Sequence, residues 1–351
     1  MLSVPSLRVI ASLTACLCLV GGTAAAQAVD GGAIAARFGA TLDASSTAAV
    51  ERGEVIVRVQ PTADGRDVAI FGIARVSTSR EAYRAGVQRF ADWLRTPTRT
   101  RIGLFGQPAT VANLAAMTVS RGDARDMRDC RAGDCKTKLS APEMRRMHDG
   151  MDWAAADHQS RVSALTRQRL VEYVEAYRER GNAALPIYED RAVVRAADAF
   201  EAVLAQSRFL TQAVPPLATY LRGTPRGRPA GVVDVMFWSE DAGARIKPIL
   251  SVTHAVVWTP PDIAGTTLVV QKQVYANHYF EAAIEVLTVT DRVRAGEPPA
   301  IYLAIERRFR FDNLPRGGLL NIRGRAVNGL RDRLLVDLRR EQTAHAPVVG
   351  R

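Results

Sequence analysis

The chain has 351 residues and a formal charge of +11, from 47 Lys and Arg against 36 Asp and Glu. The basic residues are scattered and no nucleic-acid motif accompanies them, which argues against a nucleic-acid partner. Past the amino terminus no stretch is long and apolar enough to span a bilayer, which takes about 20 residues.

The first 28 residues read as a secretory signal: Arg8, an apolar run Val9 to Val20, then small residues ending in Ala26-Gln27-Ala28. A rival reading takes Leu13-Thr14-Ala15-Cys16 as a lipobox, with Cys16 acylated and the protein held at the outer membrane. Otherwise the mature chain is periplasmic. Without Arg8 its charge is 46 − 36 = +10. Almost all of this is arginine, since Lys136, Lys138, Lys247 and Lys272 are the only lysines. GC-rich coding bias accounts for that; attraction to anionic headgroups is the functional alternative.

Residues 29 to 49 are small and Ala-rich and read as a flexible lead-in. GEVIVRVQ and DVAIFGIARV flank Asp64-Gly65 as a hairpin. Ser77 to Ser79 then offers a cap for a helix bearing Tyr83, Val87, Phe90 and Leu94. Short strands and loops are expected from 100 to 140. There Cys130 and Cys135 flank the turn Ala132-Gly133-Asp134, and in an oxidising compartment they predict a disulfide contributing roughly 2 kcal/mol. From Pro142 to Leu221 the pattern is helical. One stripe runs Val162, Leu165, Leu170, Val174, Tyr177 and ends at Gly181; another runs Val193, Ala197, Phe200, Leu204, Leu210. Arg222 to Gly231 is a Gly/Pro/Arg linker.

Beyond the linker the period changes to two. GVVDVMFW, PILSVTHAVVWT, TTLVVQKQVYANHYFEAAIEVLTV and AIYLAIERRFRF read as four strands, the third long enough to bend or bulge. An amphipathic helix with Val327, Leu330, Leu334 and Leu338 on one side closes the chain. Alternation puts His254 and Trp258 with Leu250, Val252 and Val256 on one strand face. It puts His278 and Phe280 with Val274, Ala276, Ala282 and Ile284 on the next, and Arg307 within the apolar series Ile301 to Phe311.

Three readings of these polar residues stand. Each is a satisfied core residue, with Arg307 paired to a carboxylate such as Glu285. Or His254, His278, Trp258, Phe280 and Arg307 line a pocket for a hydrophobic, lipid-like ligand. Or the histidines bind metal, for which two are too few and no H-x-H or H-E-x-x-H occurs. No C-x-x-C-H, P-loop or G-x-G-x-x-G appears, so no cofactor is expected.

The order of a strand hairpin, a helix, antiparallel strands and the closing segment RGRAVNGLRDRLLVDLRREQ resembles the START-like helix-grip fold. CRAGDCKTKL and KQVYANHYF are similar to segments of exported bacterial proteins. The resemblance covers about residues 50 to 100 and 230 to 341. It implies one α+β domain over 50–351, with a curved antiparallel sheet wrapped on the last helix and the block 142–221 as an insertion. It also implies carriage of a hydrophobic, lipid-like ligand in a cavity between the sheet and the last helix, with possible membrane-surface contact. The alternatives are an enzyme acting on an apolar substrate, for which no catalytic signature is visible, and an envelope scaffold that binds partners through its helical block.

Overall fold

A computed structural model describes residues 29–243, 246–313 and 321–346. The expected export signal, residues 1–28 with Cys16, lies outside the described residues.

Residues 29–49 are not a loose lead-in. They form most of two helices, α1 (Gly31–Arg37) and α2 (Ala44–Glu51). Asp30 and Asp43 cap them, each accepting a backbone N–H at 2.7 Å. The alanines that suggested looseness are the best helix formers, and Ile34, Phe38 and Val50 bury the inner faces.

The expected hairpin follows as β1 (Ile56–Gln60) and β2 (Asp67–Val76). Ser79 caps α3 (Arg80–Gln88), and α4 (Phe90–Trp93) continues its buried face. After β3 (Arg99–Leu104) comes α5 (Arg121–Asp129), a helix where only strands and loops were expected, capped by Ser120. The Cys130–Cys135 disulfide closes the next turn, where Arg131 and Asp134 form an antiparallel bridge and Gly133 takes a φ of 84°.

The helical block contains α6 (Ala141–Asp149) and α7 (His158–Arg180). A small hairpin follows, β4 (Ile187–Tyr188) with β5 (Val194–Arg195), then α8 (Ala196–Ala205), a π turn (Phe209–Ala213) and α9 (Pro215–Gly223). Gly181 ends α7 at a φ of 57°, and a Cβ there would stand 1.5 Å from Thr224 O, so only glycine fits.

Five strands then run in sequence: β6 (Val233–Gly243), β7 (Ile246–Trp258), β8 (Thr266–Ala276), β9 (Phe280–Arg292) and β10 (Ala300–Phe311). Four were expected. The long third strand is two antiparallel strands reversed at Asn277-His278-Tyr279, with Tyr279 at a φ of 65° and Phe280 N–H bonded to His278 O. The last element is α10 (Ile322–Ala344).

The main sheet has eight strands in the order β1-β2-β10-β9-β8-β7-β6-β3, with every neighbouring pair antiparallel. Helices cover both faces. Phe71, Ile73, Val256, Val270 and Tyr302 pack against α1, α2, α8 and α9, while Trp238, Val252 and Tyr275 pack against α5 to α7. On the opposite face Ile70, Leu303 and Ile305 pack against α3, α4 and α10. This is why β2 and β8 read as near-continuous apolar runs rather than clean alternations.

Leu334 and Leu338 of α10 are fully buried, and they seat on Gly72 of β2. A Cβ on Gly72 would lie 2.7 Å from Leu338 Cδ1 and 3.0 Å from Leu334 Cδ2. Gly72→Val improves strand propensity, so any loss reports the close approach alone. It is expected to destabilise by about 1–3 kcal/mol. Urea denaturation measures this as a lower midpoint; an unchanged midpoint would mean that α10 is not held against β2 in this way.

Candidate functional site

The five residues expected to line one pocket do not share one. His254 and Trp258 lie on the sheet face covered by the helical block. Arg307 and Phe280 lie on the face covered by α10, and His278 sits in the β8–β9 turn. Alternation held for His254 with Trp258 and for Arg307 with Ile301, Leu303 and Ile305. It failed from 277 to 281, where the chain reverses and β9 then bulges, so that Phe280 faces α10 while Ala282 and Ile284 face the helical block.

His254 is a satisfied core residue. Its Nε2 lies 2.8 Å from Asp234 Oδ1 and its Nδ1 lies 3.0 Å from Tyr177 Oη. Burial lowers its pKa against the opposing pull of Asp234. The neutral ring therefore donates from Nε2 to Asp234 and accepts the Tyr177 hydroxyl at Nδ1. Asp234 also accepts from Tyr220 Oη at 3.0 Å and pairs with Arg228 at 2.9 Å. Burial pushes Asp234 up, but His254 and its other partners hold it below the ordinary carboxylate value.

Across the ladder from His254 stands Lys272, which sequence reasoning missed as a site residue. Its side chain is wholly buried. The amine donates to Leu221 O at 3.0 Å and to Asn182 Oδ1, and lies 4.2 Å from the Phe200 ring centroid. No carboxylate pairs with it among the described residues. Burial pushes its pKa down to about 7. Lys272 clamps β8 to the helical block.

His278 is also satisfied. Its Nδ1 lies 3.0 Å from Lys136 O and its Nε2 lies 3.0 Å from Asp123 Oδ1. Both partners are acceptors, so both ring nitrogens carry hydrogen when both bonds form. Burial pushes Asp123 up, but His278 and Lys247 hold its carboxyl below the ordinary value. The ring thus pins the β8–β9 turn to the disulfide loop and to α5. Arg307 pairs with Glu285 at 2.5 Å, as the core reading expected, and also with Asp337 of α10 at 2.9 Å. No group of three or more His, Cys, Asp or Glu among the described residues is arranged to hold a metal ion.

An open depression lies at the seam between β1 and α10. A groove of about 280 Å³ runs there. Val55, Val57 and Leu335 form its half-buried apolar floor, and Arg58, Arg331, Asp332 and Arg339 form its exposed rim. Arg331 pairs with Asp332 at 2.9 Å. Arg58 donates to Ser46 Oγ at 3.0 Å and to its neighbour's carbonyl; it makes no ion pair with a carboxylate among the described residues, though its charge, after the hydrogen bonds from Ser46 and Ser45, helps to hold Asp43 below the ordinary carboxylate value. The Arg339 guanidinium has no hydrogen-bond or ion-pair partner among the described residues. The rim therefore carries one paired and two carboxylate-free arginines. Arg339 is not part of the apolar series Val327, Leu330, Leu334 and Leu338, but nothing in the sequence indicates that β1 lies beside it.

Lys272, away from the groove and under the helical block, gives the protein a pH signature. Its folded pKa lies below the unfolded value of 10.5, so the unfolded chain binds more protons between pH 7 and 10.5. Stability is therefore expected to rise with pH across that window, by up to about 5 kcal/mol. Lys272→Met should abolish this rise. Urea titrations at pH 7, 8.5 and 10 test it; parallel curves for the two proteins would refute a buried, depressed Lys272. Comparison of the chain with protein-family models, with characterised proteins and with solved structures finds no match.

Proposed function

We propose that the protein binds an anionic amphiphile, such as a fatty acid or a lipid with an anionic headgroup, in the groove between β1 and the C-terminal helix. The observation that carries this reading is the pairing of an apolar floor with arginines that lack carboxylate partners. Apolar burial favours an acyl chain, and a guanidinium rim favours a carboxylate or phosphate head. The volume is near the lower end of small-ligand pockets, about 300–1,000 Å³, so one short chain or the first part of a longer one fits.

Several features support the reading. An antiparallel sheet with a C-terminal helix packed on it is what the START-like resemblance implies in outline; the cavity it implies between sheet and helix is occupied here by Leu334 and Leu338, so the reading moves the ligand to the outer seam. The Cys130–Cys135 disulfide suits an oxidising compartment, and no helix among the described residues is long and apolar enough to cross a membrane. The signal-like residues 1–28 direct the chain to the periplasm, where it loads ligand from an anionic membrane surface. Val336 on the outer side of α10 is 57% exposed and offers an apolar contact to that surface. Acylation at Cys16 would hold the protein there permanently.

Arg58→Glu with Arg339→Glu is expected to weaken laurate binding roughly tenfold or more, at up to about 1 kcal/mol for each exposed charged contact. Binding of dodecanol, which lacks the anionic head, should change little. Val57→Trp, which fills the floor, should weaken both. Displacement of a fluorescent fatty acid measures all three. Equal laurate affinity in wild type and the double variant, or no uptake by wild type, would refute the proposal.

A further inference from the structure

We propose that the corner where the end of α7 meets the end of α9 is a proton-operated latch between the helical block and the sheet, shut at alkaline pH and opening locally as the pH falls towards neutrality. It shares no residue with the groove and does not depend on what the groove binds.

Two bases stand side by side in this corner. Lys272 of β8 and His254 of β7 are cross-strand partners, and both are buried beneath the helical block. The other cross-strand neighbour of Lys272 is the apolar Ile284 of β9. Above the amine, the turn after α7 supplies Asn182 Oδ1 and the end of α9 supplies Leu221 O at 3.0 Å. The rings of Phe200 from α8 and Tyr177 from α7 cover it, with centroids at 4.2 and 5.1 Å. A neutral amine has two N–H groups and meets two oxygen acceptors here. An ammonium has a third N–H, for which only the ring faces remain, and these offset part of the loss of water. Both oxygens belong to helix ends, where the fewest backbone bonds resist a local opening.

The corner holds no spare negative charge. The one carboxylate in contact with either base among the described residues is Asp234 of β6, and His254 at 2.8 Å, Arg228 at 2.9 Å and Tyr220 at 3.0 Å already share it. Burial raises the phenols of Tyr177 and Tyr220, so both stay neutral. A proton on Lys272 is therefore uncompensated while the corner is shut and is hydrated once it opens. A proton on His254 adds a second positive charge across the ladder. Burial holds Lys272 down to about 7 and keeps His254 below its ordinary value of 6.5. In the open corner both groups return to ordinary values. The open state therefore gains protons over the shut one as the pH falls from 10.5 to 7, through Lys272, and again below 6.5, through His254.

The test is hydrogen exchange of the intact protein, read by mass spectrometry between pH 9 and 5, with each rate divided by the chemical exchange rate of the same peptide at that pH. Amides of residues 177–185 and 217–224 are expected to open about tenfold more at pH 8 than at pH 9, and about fivefold more again at pH 7. Amides of α10, which frays without uncovering Lys272, should change less than about twofold. Lys272→Met should flatten both steps and keep the rise below pH 6.5 that His254 carries. If Lys272→Met does not fold, the contrast between the corner and α10 in the wild type decides. A flat profile in the wild type, the same slope in Lys272→Met, or an equal rise across α10 would overturn the latch.

Discussion

The structure depends on the pairing of β2 with β10. These strands are far apart in sequence, and their ladder runs from Ile301↔Val76 to Arg310↔Asp67. It joins the amino-terminal hairpin to the β6–β10 meander in one sheet. Without it neither β1 nor α10 would have a defined place, since α10 rests on β1 and β2. The pairing also buries both faces of the sheet. The proposed ligand groove therefore lies at the rim, where β1 is an edge strand with no outer neighbour among the described residues.

Arginine chemistry secures the layers around that pairing. Three arginines near the end of β10 serve both faces, Arg307 on one and Arg308 with Arg310 on the other. Arg307 reaches Asp337 of α10; Arg308 pairs with Glu306, which Ser207 of the helical block also contacts; Arg310 binds Asp64, Asp67 and Glu281. A planar donor fork suits such multiple carboxylate contacts better than lysine does. Much of the chain's arginine on the sheet is therefore structural, whereas Arg58 and Arg339 make no ion pair among the described residues. Lys272 is the opposite case, a buried amine held by a carbonyl, an amide and two aromatic rings.

Much of the fold was legible because period and punctuation are local properties. β10 occupies the predicted span Ala300–Phe311, Gly181 ends α7, and Leu334 and Leu338 are the buried side of α10. What escaped depended on distant partners or on weak local signals. The Ala-rich start became helical because its aspartates cap and because Phe38 found Phe71 and Phe209 to pack against. The turn at 277–279 has no glycine or proline, so an apolar pattern ran on through it. The histidines were correctly marked as inward, yet their partners Asp234, Tyr177 and Asp123 come from 20 to 155 residues away. The groove was the least legible part, because it belongs to two elements brought together only by the β2–β10 ladder.

The central claim is that an amphiphile binds at the seam of β1 and α10 and not within the body of the protein. A crystal structure with a terminally brominated fatty acid tests it most directly, since anomalous scattering locates the chain without prior assumptions. The account predicts bromine over Val55, Val57 and Leu335, with the carboxylate at Arg58 or Arg339. Bromine beneath α10 in place of Leu334 and Leu338, or beside His254 under the helical block, would contradict it.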